Sequence, residues 1–187
     1  MKLTYIGPLN KTGYGVASVG YANQLCKINP EMAVVPIGPV DNPDISPELR
    51  KGLEVLPDYS APVFCFWHIF DLEKQVSKFT GPKVAFSTFE LDKLYPNEVE
   101  ILNRFDLVGT ASSWGEKVIK DSGVTRPTFT APHALKADDN TLLPKYTHTD
   151  PSIWNSLLAP NKIVNDTIFT TAGKFEIRKG HYQLIDA

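Results

Sequence analysis

Short apolar runs alternate along this chain with stretches in which apolar residues recur every three or four positions, the rhythm of parallel strands joined by helices. Residues 3–6 read as the first strand. Val16, Val19, Ala22 and Leu25 or Cys26 then share one helical face, which predicts a helix over 15–27, ended by Pro30. A second strand is expected over 33–37, and a short helix over 47–53 with Ser46 as its cap and Pro47 as its opening residue. Residues 62–67 are nearly all apolar, as in a central strand buried on both faces, and a helical stretch follows over 71–79. Residues 83–87 make the next strand, and Pro96 opens a helix whose Val99, Leu102 and Phe105 share a face. After a strand at 107–110, Ser113 with Glu116 three residues on is a capping-box signature for a helix over 114–121 that stops near Gly123. A strand over 128–131 closes the series. The pattern predicts an α/β fold, a Rossmann-like, mostly parallel sheet flanked by helices.

From 136 to 165 the periodicity loosens into polar residues, prolines and one apolar stretch around Trp154, Leu157 and Leu158, the composition of an interdomain connection. Residues 168–172 then read as a new strand, followed by a basic turn and a helix of about seven residues, shorter than the roughly 8–20 of a globular helix. The expected organisation is an N-terminal domain over 1–135, a connecting segment over 136–165, and the first strand, turn and helix of a truncated second domain over 166–187.

Composition narrows the partners. A chain of 187 residues buries one good core, and a net charge of −2 without any Lys/Arg run excludes a general attraction to nucleic acid. Cys26 and Cys65 lie far apart in apolar surroundings and form no Cys-x-x-Cys, so buried thiols are expected, not a zinc site or a disulfide. The N-terminal apolar run is too short for a signal peptide, and no segment reaches the roughly 18 apolar residues of a membrane span. A cytoplasmic protein is the expectation.

Candidate chemistry gathers at strand ends. Gly13, Tyr14 and Gly15 join the first strand to the first helix, where backbone N–H groups can approach an anion, although the glycines serve a tight turn equally well. A dinucleotide fingerprint is disfavoured, because Ser18 stands where its third glycine belongs. His68 follows the apolar strand, placed either to meet a substrate as hydrogen-bond donor or base, or to satisfy a backbone carbonyl. Glu90, after the next strand, suits a sugar hydroxyl or a structural loop contact; with Asp92 it makes no acid/base pair, since the two face different ways in an extended segment. Ser112 and Ser113 are better read as helix caps than as nucleophiles. His133 ends the last strand of the domain, with a substrate or a structural role. Near the C-terminus, Gly173, Lys174, Arg178, Lys179 and Gly180 bracket a strand-to-helix turn that suits a phosphate group.

In order, these stretches resemble glycosyltransferase family four, retaining enzymes of GT-B fold that use nucleotide sugars. The resemblance is carried by Thr12-Gly13-Tyr14-Gly15, by Phe89-Glu90 through Pro96 ahead of Leu102-Asn103-Arg104-Phe105-Asp106, by Ser112-Ser113-Trp114, Ser122-Gly123-Val124 and Pro132-His133, and by the closing Gly173, Lys179 and Gly180. It implies that 1–135 is the acceptor-side domain and that Gly173, Lys174, Arg178 and Lys179 hold the donor diphosphate, with Lys174 standing where the family usually has arginine. It also implies His68 at the sugar-transfer site and a nucleotide diphosphate sugar as co-substrate with no further cofactor and no metal, in keeping with the absence of an Asp-x-Asp sequence; Glu90 and His133 stay candidate substrate contacts. The acceptor stays open among carbohydrate, lipid-linked and protein classes, the lipid class bringing peripheral membrane association with it. An isolated chain of this kind is expected to lack activity and to self-associate through an exposed interdomain face. The alternatives are a non-catalytic α/β binding module and another nucleotide-dependent α/β enzyme.

Overall fold

In the computed structural model, residues 2–133 are described. The expected connection at 136–165, the start of a second domain at 166–187, and with it Gly173, Lys174, Arg178 and Lys179, lie outside the described residues. Within them the alternation of runs resolves into β1 (Thr4–Leu9), α1 (Gly13–Ile28), β2 (Ala33–Val40), α2 (Pro47–Gly52), β3 (Val63–Phe66), a 3-10 turn (Ile69–Asp71), α3 (Leu72–Val76), β4 (Lys83–Phe86), α4 (Pro96–Leu102), β5 (Leu107–Thr110), α5 (Ser113–Asp121) and β6 (Thr128–Thr130).

The strands pair in the order β2-β1-β3-β4-β5-β6, and every pairing is parallel. This is a Rossmann-like α/β sheet flanked by helices. Register sorts the side chains by face. Ile6, Cys65, Ala85 and Val108 align across four strands and pack with Leu72 and Val76 of α3, Leu102 of α4, Phe105 in the turn after it, and Val118 and Ile119 of α5. Tyr5, Leu9, Phe66 and Phe86 belong to the opposite face, with Val19, Ala22 and Cys26 of α1 and Leu49 of α2. Phe66 and Phe86 are 1% and 0% exposed, and burying each stabilises the fold by about 1.5–3 kcal/mol. Both cysteines are buried free thiols, and burial raises the pKa of each, that of Cys26 to about 11.

Several elements depart from the sequence expectation. β1 continues through Gly7 and Pro8 to Leu9, because Leu9 is fully buried and Gly7 pairs with Pro36. β2 likewise runs past Pro36 and Pro39 to Val40, which an edge strand tolerates, since a missing N–H on its outer side has no ladder partner to lose. α1 begins two residues earlier than periodicity indicates, because Thr12 caps it by accepting the Gly15 N–H at 3.2 Å. The helix expected over 71–79 is split between the 3-10 turn and the short α3. The capping box expected at Ser113 and Glu116 does not form. Ser112 is the cap, accepting the Gly115 N–H at 3.0 Å, while the Glu116 carboxylate accepts the Thr128 and Thr130 hydroxyls of β6, each at 2.7 Å. A carboxylate reaches back to a helix start at α4 instead, where Glu98 accepts the Tyr95 N–H at 2.8 Å.

The chain lays β2 on one side of β1 and β3 on the other. Loops leaving the carboxyl ends of β1 and β3 therefore diverge, and the crevice between them is where open α/β sheets bind ligands.

Candidate functional site

The crevice at the β1/β3 divergence is built from three segments, the first turn of α1, the residues after β3 and the loop after β4, to which the first turn of α4 adds Glu98. Tyr14, in the first turn of α1, connects all three. Its hydroxyl donates to the Thr88 carbonyl at 2.6 Å, and its ring centroid lies 4.3 Å from that of His68. The same ring packs against Phe66 at 5.4 Å and Trp67 at 5.8 Å. Trp67 prolongs the β3 ladder by donating its N–H to the Phe86 carbonyl at 3.2 Å, and the His68 carbonyl then accepts the Asp71 N–H at 3.1 Å to start the 3-10 turn. His68 thus emerges where the ladder ends.

A cleft of 630 Å³ opens here, lined by Tyr14, His68, Phe70, Thr88, Glu90 and Glu98, with Phe89 at its side. Among the described residues its polar lining holds two carboxylates and an imidazole and neither lysine nor arginine, a set of groups that accepts hydrogen bonds from hydroxyls more readily than it holds a phosphate. Phe70 and Phe89 add apolar ring surface, and Phe89 in turn packs against the half-exposed Trp114 at 6.0 Å. Such faces suit the C–H faces of a sugar ring.

The glycine loop closes on itself. Asn10 Oδ1 accepts the Thr12 N–H at 3.0 Å and the Thr12 hydroxyl at 2.6 Å, and Asn42 donates to the Asn10 carbonyl at 2.8 Å. Gly15 is required by this arrangement, because a Cβ there would run into the Asn10 backbone oxygen, whereas a Cβ on Gly13 would meet nothing within 4 Å. With the Gly15 N–H already bound to Thr12, the loop supplies Tyr14 to the cleft.

The expected residues Tyr14, His68 and Glu90 are therefore brought to one cleft, with Gly13 and Gly15 beside it in the α1 turn. His133 is not among its lining residues. It follows β6 and lies 3.0 Å through Nδ1 from the Tyr21 hydroxyl, which donates to the Ala131 carbonyl at 2.6 Å. Since the single tyrosine proton is spent on that carbonyl, Nδ1–H is the donor to Tyr21, and burial lowers the His133 pKa. His133 borders a separate apolar groove of 630 Å³ between α1 and the sheet, with Val16, Tyr21, Phe64 and Phe129.

Sequence reasoning passed over Glu98, which is 5% exposed and lines the cleft. The available signal was Tyr95-Pro96-Asn97-Glu98, a helix opening with an acid at its third position. Among the described residues no three His, Cys, Asp or Glu side chains converge as metal ligands, and no helix is long and apolar enough to cross a membrane. Compared with known proteins, the chain matches no protein-family model and no curated protein.

Proposed function

We propose that residues 1–135 form the acceptor-side domain of a retaining glycosyltransferase of GT-B fold, similar to family four, which moves a sugar from a nucleotide diphosphate sugar to an acceptor hydroxyl. The observation that carries the reading is the convergence of Tyr14, His68 and Glu90, from three separate segments, at the β1/β3 crevice. In the reaction the bond between the anomeric carbon and the diphosphate oxygen breaks, a bond to the acceptor oxygen forms on the same face, and the acceptor proton leaves on the diphosphate. His68 hydrogen-bonds the sugar being transferred, and Glu90 and Glu98 accept hydrogen bonds from the acceptor. Gly173, Lys174, Arg178 and Lys179 hold the diphosphate and balance its developing charge. The two carboxylates in the described lining of the cleft favour an acceptor that presents hydroxyls there.

The test is a calorimetric titration of UDP, GDP and their sugar conjugates into the chain and into a form carrying a complete donor domain. Saturable binding of one nucleotide sugar by the longer form, with slow hydrolysis that His68→Gln reduces by at least tenfold, is the expected result. If neither form binds any nucleotide or sugar nucleotide, the transferase reading fails and a non-catalytic binding module takes its place.

A further inference from the structure

We infer that Tyr14 is a positioning residue, which sets the orientation of the His68 imidazole and ties it to the loop that carries Glu90. This rests on the cleft being the transfer site proposed above, but its geometry stands without that reading.

The imidazole of His68 has no hydrogen bond among the described residues. Rings hold it: Tyr14 at 4.3 Å and Trp67 at 4.7 Å between centroids. Orientation by packing leaves both ring nitrogens free for a ligand, which orientation by a carbonyl or carboxylate would not. The holder must itself be rigid. Tyr14 is anchored at its backbone by the capped first turn of α1 and at its far end by the hydroxyl bonded to Thr88 at 2.6 Å. Phe66, 1% exposed, backs the ring at 5.4 Å. A phenylalanine would keep the packing and lose the far anchor, so the two functions of Tyr14 separate chemically.

The bond to Thr88 also fixes the start of the segment 88–91, whose Phe89, Glu90 and Leu91 line the cleft. One side chain thereby couples the segments after β1, β3 and β4, and a ligand that shifts Glu90 is felt at His68.

Histidine-labelled NMR of the full chain tests this, with the His68 signals identified by their loss in His68→Gln. In Tyr14→Leu the His68 ring protons should leave their wild-type positions, because a neighbouring ring current is removed; in Tyr14→Phe they should stay, while amide exchange over 88–91 quickens. In the transfer assay Tyr14→Leu should lower kcat by roughly 100-fold, as a misplaced catalytic group does, with KM for the nucleotide sugar little changed. His68 signals unmoved in a folded Tyr14→Leu protein would overturn the inference. So would unaltered exchange over 88–91 in Tyr14→Phe, a conservative variant that removes one oxygen. Both NMR arms need no donor, so an absence of transfer in the form carrying a complete donor domain would count against the functional reading alone.

Discussion

At the scale of single residues, two glycines of α1 that look alike in the sequence differ in what surrounds them. Gly15 lies against the Asn10 backbone, while a Cβ on Gly20 would meet nothing within 4 Å. Gly15→Ala must push that loop aside and should destabilise the chain by about 1–3 kcal/mol, as overpacking does. Gly20→Ala, in a helical conformation that alanine prefers, should stabilise it by about 0.4–1 kcal/mol by restricting the unfolded chain. Urea midpoints at unchanged slope read both effects, and equal shifts of the same sign would refute this account of the loop. Tyr14 and His68 were legible as residue types at the right strand ends, since polar groups placed after an apolar run emerge at the sheet edge. Their mutual contact was not legible, because they lie 54 positions apart and meet only when β1 and β3 become neighbours.

At the scale of elements, α5 and β6 are held together by Glu116. Its carboxylate accepts from Lys120 at 2.6 Å as well as from Thr128 and Thr130, and these bonds, with Lys120 foremost, lower its pKa to about 2 from an ordinary 4.5. A carboxyl with a depressed folded pKa takes up protons on unfolding, so its contribution is complete above about pH 4.5 and is lost as pH falls toward 2. Glu116→Gln should therefore be less stable than wild type at neutral pH, with the gap narrowing in urea melts at pH 3. A gap independent of pH would show that the charge is not involved. Spacing alone pointed Glu116 at its own helix start, since Ser113 precedes it by the capping-box interval. The neighbouring Ser112 took the cap instead, and the two β6 threonines offered Glu116 donors that no local window contains.

For the whole molecule, the strand order places β1, β3 and β4 inside the sheet and β2 at one edge. Every residue of β1 is buried, whereas the second half of β2 is largely exposed. Amide exchange should be slowest in β1, β3 and β4 and much faster over 37–40, because edge groups open without disturbing the core. Uniform protection across β2 would contradict that order. The crevice that hosts the candidate site follows from the same order, since only a chain that places β2 and β3 on opposite sides of β1 separates the loops above them.

The apolar runs by themselves determined that this chain builds a parallel α/β sheet, because strands buried on both faces need continuous apolar sequence and parallel pairing needs helical crossovers between them. They also determined that polar groups at 14, 68 and 90 follow strands or begin helices at the sheet edge. Tertiary structure alone decided that these groups share a cleft while His133 stands apart beside Tyr21, that Glu98 joins them, and that β1 extends to a buried Leu9. The physical reason is one of range. Periodicity and caps act over a few residues, whereas a cleft depends on which strands pair, and that is set by the packing of side chains brought together from distant parts of the chain.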